Sequence, residues 1–238
     1  MLIVLEGLDG AGKSTQLKMV TSYFSSLGRK VDYLHFPRYT APLYGELIAK
    51  FLRGDFGSID QVHPQLVALL FAEDRRDASS LIRSWMNQGH VVILDRYVYS
   101  NIAFQCAKLP TAEQAEELRD WILDLEFGRF GIPRPTLNLF LDVPIEFVDA
   151  KLRQSRKGGD RRYLEGKADI HEANIAFQVK VRDIYREQCR MDDQFLRIDC
   201  SDDEGHMLPA ADIFRRIRTQ IDALLGDSCA ACAGSSSH

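Results

Sequence analysis

Long hydrophobic runs are missing from this chain. The longest fully apolar stretch is Leu66 to Ala72, far short of the roughly 20 residues that carry a helix across a bilayer. A surplus of positive charge is missing too: 30 lysines and arginines stand against 34 aspartates and glutamates, a formal net charge of -4. That leaves no global basic field of the kind a nucleic-acid binder uses. Cysteine is sparse, five residues in all, an odd number with Cys106, Cys189 and Cys200 scattered. This argues against a disulfide framework and for a reducing, cytoplasmic compartment. Cys229 and Cys232 form a CxxC inside "GDSCAACAGSSSH", but a structural zinc site needs four ligands and there is no second pair. Residues 227–238 are therefore expected to be a disordered tail. The N-terminal "MLIVLEG" lacks a basic flank and a cleavage site, so it is expected to be a strand rather than a signal peptide. The six histidines show no metal-ligand spacing. No internal repeat or interdomain linker interrupts the chain, and residues 1–226 are expected to form a single domain.

What is present is an alternation of two patterns. Leu2 to Glu6, Val31 to Phe36, Val91 to Asp95, Leu137 to Asp142 and Phe195 to Asp199 are apolar, β-branched runs. Their hydrophobicity on both faces predicts a buried parallel sheet. Amphipathic stretches lie between them: Ser14 to Leu27, Pro64 to Gln88, Glu113 to Phe127, Glu146 to Gln154, Asp169 to Met191 and Leu208 to Leu225. Gly28 and Gly89 follow two of these where a helix ends in the left-handed conformation. The expected fold class is α/β, a five-stranded parallel sheet flanked by helices with right-handed crossovers. One stretch breaks the pattern. "RQSRKGGDRRYLEGK", Arg153 to Lys167, is basic and glycine-bearing without apolar periodicity, the composition of a mobile loop.

Between the first strand and the first helix stands "GLDGAGKS", Gly7 to Ser14. It completes the pattern GxxxxGK[ST] in the strand-to-helix setting that phosphate binding requires. Gly7, Gly10 and Gly12 let successive backbone N–H groups, with those of Asp9 and Ala11, turn inward onto phosphate oxygens. The positive end of the following helix, opening at Lys13, Ser14 and Thr15, adds to that field. Lys13 reaches the β- and γ-phosphates, and the Ser14 hydroxyl is a Mg²⁺ ligand. Asp95, at the end of "VVILD", holds the same Mg²⁺ directly or through water. A nucleoside triphosphate with Mg²⁺ is thus the expected ligand.

The guanine-reading NKxD of a GTPase switch is absent. Arginines and aromatics cluster instead just beyond strand ends, in "FPRY" (Phe36 to Tyr39), "FAEDR" (Phe71 to Arg75) and "DRYVYSNIAFQ" (Asp95 to Gln105). Ligands of open α/β sheets sit beyond the carboxyl ends of strands, so Arg38 and Arg96 point to a second anion facing the γ-phosphate. Phe71 and Arg75, four residues apart, share a helical face that suits a base stacked on the ring and bonded by the guanidinium. Two phosphates face to face is the arrangement of a kinase whose acceptor is a phosphate. A deoxynucleoside kinase with Glu6 as base, a kinase acting on dUMP or UMP, and a non-catalytic phosphate-loop sensor are the other readings.

"LIVLEGLDGAGKSTQ", "FPRY", "FAEDR" and "LDRYVYSNIAF" resemble the thymidylate kinases, phosphate-loop nucleoside monophosphate kinases that convert dTMP to dTDP with ATP. The similarity runs from the first residue to about the last helix, and the basic loop falls where that family has its lid, about 153–168. The resemblance implies that Phe71 stacks on thymine, Arg75 bonds a thymine carbonyl, and Arg38 and Arg96 hold the dTMP phosphate. It implies Asp9 near the sugar 3′-hydroxyl and the acceptor phosphate, Asn101 at the base edge and Phe104 near C2′. Phe36, Tyr39 and Tyr163 line the same cleft, and a homodimer is implied. Thr136 departs from the family, which commonly has an acid there; it precedes a strand and little functional consequence is expected. Some relatives carry an arginine inside the phosphate loop and others in the lid. Here residue 10 is glycine, so the transition-state cation is expected among Arg153, Arg156, Arg161 and Arg162, first Arg153 and Arg156 and next Arg161, with Gly158 and Gly159 letting the loop close.

Overall fold

The computed structural model describes residues 1–59, 61–155 and 175–233. The five apolar runs form five parallel strands: β1 (Leu2–Gly7), β2 (Val31–His35), β3 (Val91–Asp95), β4 (Leu137–Asp142) and β5 (Phe195–Asp199), in the order β2-β3-β1-β4-β5. β1, β3 and β4 are buried along their whole length. β2 is an edge, covered on one side only, so it is half-buried and Tyr33 stands in solvent.

The helices described are α1 (Lys13–Ser26), α2 (Tyr44–Leu52), α3 (Pro64–Asn87), α4 (Val98–Cys106), α5 (Ala112–Leu123), α6 (Ile145–Ser155), α7 (Ile175–Met191) and α8 (Ala210–Ala233). α3 starts on Pro64, with the His63 side chain accepting from Gln65 N–H, and Thr111 caps α5 in the same way. Gly28 and Gly89 end α1 and α3 with φ of +70° and +77°, the left-handed turn the sequence pointed to.

Two helices were not expected. α4 is buried on every side, so it carries no polar stripe and no helical period, and α2 is a short helix in a region without a periodic signal. α8 runs on to Ala233, past Leu225 where its pattern fades. The amphipathic stretch expected to run as one helix from Glu113 to Phe127 instead ends as α5 at Leu123 and widens into a single π-helical turn, Asp124–Arg129.

The chain leaves β1, reaches the far edge at β2, returns through β3 and then crosses β1 to reach β4. The crevice at the carboxyl ends of β1 and β3 is therefore the switch point where an open α/β sheet takes its ligand. Leu5 pairs with Asp95 across it, and Arg96 N–H donates to Leu5 O at 2.9 Å. On the other flank the buried Asp142 accepts from Arg182, Arg186 and Arg197 at 2.6, 2.8 and 2.5 Å, tying α7 and β5 to the end of β4. Thr136 fills a stitching role: its Oγ1 accepts from Leu2 N–H at 3.0 Å, and β1 and β4 are joined where both begin.

Candidate active site

The phosphate loop owes its shape to two glycines. Gly10 and Gly12 have φ of +75° and +79°, and a Cβ on Gly10 would lie 3.0 Å from Lys151 Cβ on α6, so a side chain there meets both backbone strain and a neighbour. Gly12 opens α1, and the N-terminal end of that helix lies at a cleft lined by Asp9 to Gln16. Gly7 lies beneath the loop and gives its carbonyl to Lys13 Nζ at 3.2 Å, beside Leu8 O at 2.9 Å. Burial, with Arg96 nearby, pulls the Lys13 ammonium down to about 8 against the pull of Asp95, Asp9 and Glu6. An anion arriving in the cleft favours the charged form again.

Asp95 and Ser14 line the same cleft. Burial works against ionisation of Asp95, but Lys13, His35 and Arg96 outweigh it and hold the carboxyl below its ordinary value. Its Oδ2 lies 3.3 Å from His35 Nδ1, while its buried Oδ1 has no protein donor. A free carboxylate oxygen beside a serine hydroxyl is a hard oxygen pair that suits Mg²⁺. Among the described residues no three His, Cys, Asp or Glu side chains gather into a cage, so a metal here would complete its shell with phosphate and water oxygens.

A second cavity opens beside the first. Phe36, Tyr39, Phe71, Arg75, Asn101 and Phe104 line it, which brings together residues from three separate stretches of sequence. Phe36 is fixed against the Tyr97 ring, 5.8 Å between centroids, and follows β2 through a cis peptide to Pro37. Arg75 is fully buried. Its Nε and Nη2 donate to Glu126 Oε2 and Oε1 at 2.5 and 2.7 Å, and although burial opposes its charge, Glu126 holds the guanidinium ionised.

Asp9 and Arg96 belong to both cavities. Arg96 sits at φ +68°, a left-handed conformation that costs a non-glycine residue about 1–2 kcal/mol. The strain is held by Glu6, whose Oε1 accepts from Tyr97 N–H at 2.9 Å and Ser100 N–H at 3.2 Å. The guanidinium donates to Asp9 Oδ1 at 2.6 Å, to Ser100 Oγ at 3.1 Å and to Tyr185 Oη at 3.4 Å, and lies over the Phe104 ring at 5.1 Å. Burial opposes its charge, but Asp9 and the acids around it raise its pKa well above the ordinary value.

Every described residue expected in the two ligand sites lines a cavity or the loop beneath it, with two exceptions. Arg38 turns onto α3, where Nε donates to Asp74 at 2.8 Å and Nη2 to Asp77 at 2.6 Å. Arg153 lies in the last turn of α6, exposed and paired with Asp149 at 2.7 Å. Arg156, Arg161, Arg162, Tyr163 and the two glycines of the basic loop fall outside the described residues. Glu6 is not available as a base: it is wholly buried, and the backbone of Tyr97 and the hydroxyls of Ser100 and Tyr185 take up its oxygens. Sequence reasoning missed two residues. Glu126 looks like an ordinary helix acid in "DLEFG"; the signal that points to it is Arg75, whose burial demands a counter-charge. Lys151 lines the phosphate cleft from α6 beneath Gly10, hidden in an otherwise amphipathic helix.

This geometry agrees with the comparisons. A family model described as thymidylate kinase matches residues 5–207. Thymidylate kinase of Mycobacterium tuberculosis strain H37Rv is 35% identical over 188 residues, covering 79% of this chain and 85% of its own. Human thymidylate kinase is 33% identical over 165 residues, 69% of each chain. A solved structure of thymidylate kinase from Candida albicans superposes with a TM-score of 0.65 at 27% identity, covering 95% of this chain and 91% of that one.

Proposed function

The chain belongs to the thymidylate kinase family, and from that premise we propose how its two cavities carry out the transfer. The reaction is phosphorylation of dTMP to dTDP with ATP as donor, a step toward dTTP. The observation that carries the reading is the meeting of a phosphate-loop cleft and an aromatic, arginine-bearing pocket at Asp9 and Arg96.

ATP lies along the loop with its β- and γ-phosphates against the α1 amides and Lys13. dTMP enters the second cavity with its base on Phe71 and its phosphate toward Arg96. A bond forms between an acceptor phosphate oxygen and the γ-phosphorus while the bond to the β–γ bridging oxygen breaks, leaving ADP and dTDP. The acceptor, with a second pKa near 6, is mostly a dianion at neutral pH, so no base is needed. Alignment and charge neutralisation supply the catalysis. Ser14 and Asp95 would hold Mg²⁺, which supplies positive charge to the β- and γ-phosphates. Arg96, kept charged by Asp9, meets the acceptor phosphate.

ADP release coupled to dTMP or thymidine tests this. Turnover with dTMP and none with thymidine is expected; transfer to thymidine at a comparable kcat/KM would sink the monophosphate reading. A homodimer is part of the proposal, supported by the apolar side chains Leu66 and Leu81 that α3 leaves 64% and 43% exposed. Sedimentation of a monomer at micromolar concentration would remove it. A reducing, cytoplasmic setting fits the free thiols of Cys106, Cys189 and Cys200. Among the described residues no helix is long and apolar enough to cross a membrane.

A further inference from the structure

The π-helical turn that follows α5 carries one wholly buried acid, Glu126, and its two oxygens make every contact a carboxylate can usefully make there. Oε2 accepts from Arg75 Nε at 2.5 Å; Oε1 accepts from Arg75 Nη2 at 2.7 Å and from Asn101 Nδ2 at 3.0 Å. The other hydrogen of Asn101 Nδ2 goes to the carbonyl of Ala68 at 3.0 Å. Both partners of that nitrogen are acceptors only, so the amide cannot be turned over: the atom facing them must be the NH₂. Asn101 Oδ1 is then forced to the opposite side, and this buried oxygen has no protein donor. Asn101 and Arg75 both line the acceptor cavity. With Nε and Nη2 committed to Glu126, Arg75 has Nη1 left to offer.

We propose that Glu126 is the positioning residue that sets which base the acceptor pocket reads, by fixing Arg75 as a donor and Asn101 as an acceptor side by side on its wall. The proposal rests on the dTMP reading given above. Thymine and uracil present O4 as an acceptor next to N3–H as a donor, and both match. Cytosine presents the reverse, an N4 amino donor next to an N3 acceptor, so both of its edge groups meet their own kind. A site built to hydrogen-bond one pattern rejects the other strongly, because buried polar groups are left unpaired. An acid is needed at 126 for two reasons. Only a group without hydrogens can accept on both oxygens, from Arg75 Nε on one and from Arg75 Nη2 with Asn101 Nδ2 on the other, and only an anion balances a guanidinium with 2% exposure.

The test uses the full chain with dTMP, dUMP and dCMP as acceptors and ATP held saturating. Glu126→Gln keeps the shape but brings an NH₂ that faces an Arg75 donor in either orientation, and the Asn101 amide as well in one of them. It is expected to raise KM for dTMP and dUMP about tenfold or more, with kcat and KM for ATP within about threefold. The dTMP-to-dCMP ratio of kcat/KM should fall at least tenfold. Glu126→Asp keeps the charge beside Arg75 and so secures the fold, while its shorter reach loosens the grip on Asn101; it should move the same ratio in the same direction by a smaller factor. Equal losses on all three acceptors, or lowered thermal stability with the ratio unchanged in both variants, would overturn the assignment and leave Glu126 a scaffold residue. A parent enzyme that does not phosphorylate dTMP would overturn the dTMP reading itself, and the positioning role with it.

Discussion

Arg96 donates from Nη2 to Asp9 Oδ1 at 2.6 Å, and through this pair the exit of β3 is locked to the phosphate loop after β1. The two residues come from strands that lie side by side in the sheet, yet they are 87 positions apart in the chain. Asp9 neutralises the guanidinium while the acceptor site is empty of charge and leaves its other donors directed at Ser100 and Tyr185. In the transfer proposed above, a phosphate entering between the two cavities would meet a cation already charged and already aimed, which is the preorganisation that electrostatic catalysis depends on.

Arg96→Ala is accordingly expected to lower kcat with dTMP by two or more orders of magnitude, since one preorganised donor to developing charge is worth about 2.7–4 kcal/mol. Arg96→Lys keeps a charge but not the fork, and should recover only part of the loss. Steady-state kinetics beside a circular dichroism spectrum checks this. A kcat for the alanine variant within about threefold of the parent removes Arg96 from the chemistry.

Phe71 lies one helical turn before Arg75 on α3 and lines the acceptor pocket. A ring stacked on a base contributes about 1–3 kcal/mol whichever base it is. Phe71→Ala should therefore raise KM for dTMP by about tenfold to a hundredfold with little change in kcat, because the contact is the same in ground and transition states. It should leave the dTMP-to-dCMP preference close to that of the parent. A fall in kcat at constant KM would show instead that Phe71 is core and acts through the backbone.

Much of this was legible in the chain. The five strands follow from apolar runs that have no other place to go in a chain of this composition, and the register of Gly10, Gly12 and Lys13 follows from what a phosphate needs. Phe71 and Arg75 announce a shared face by their spacing. Arg38 shows what a motif leaves unsaid: the sequence carries no sign of the carboxylates of Asp74 and Asp77, 36 and 39 residues further on, that accept from its guanidinium. α4 was invisible as a helix for a similar reason, because periodicity appears only where a polar face remains and this helix has none. Glu126 is legible only in space. Its meaning depends on Arg75 and Asn101, which are 51 and 25 residues away.

Glu6 offers a test of stability that leaves the chemistry aside. Burial is the largest influence on its carboxyl and raises its pKa above the ordinary value, in spite of Ser100, Arg96 and two backbone N–H groups. The folded protein therefore holds this proton more tightly than the unfolded chain. Stability contributed by the protonated form is complete at low pH and declines as pH rises from about 4.5 through the folded pKa. Glu6→Gln removes that decline, and urea denaturation between pH 4.5 and 8 should give a flatter profile than the parent. Glu6→Ala strands the N–H groups of Tyr97 and Ser100 and should cost on the order of 3 kcal/mol at any pH. Parallel profiles for parent and Glu6→Gln would mean the carboxyl does not titrate in this window.

In the proposed transfer, the charge that builds on the phosphoryl group calls for a cation beyond Lys13 and Arg96, and an arginine in that role is worth about 10³–10⁵ in kcat in other phosphoryl-transfer systems. The loop itself cannot supply one, because Gly10 combines a φ of +75° with Lys151 Cβ at 3.0 Å from any added Cβ. The basic stretch beginning at Arg153 is the nearest reserve in sequence. Arg153 is spoken for by Asp149 on the exposed side of α6, a surface pair of the kind that contributes little, so Arg153→Ala should leave kcat within about threefold of the parent. Alanine at one of Arg156, Arg161 or Arg162 should cut kcat by two or more orders of magnitude while KM for dTMP changes little, the mark of an interaction made only in the transition state. Lys151→Ala belongs in the same series, since that side chain already lines the cleft. If Lys151→Ala alone carries the loss, the cation comes from α6 and not from the lid; if all five substitutions keep kcat within about threefold, none of these five side chains supplies it, and the lid-arginine mechanism fails for this chain.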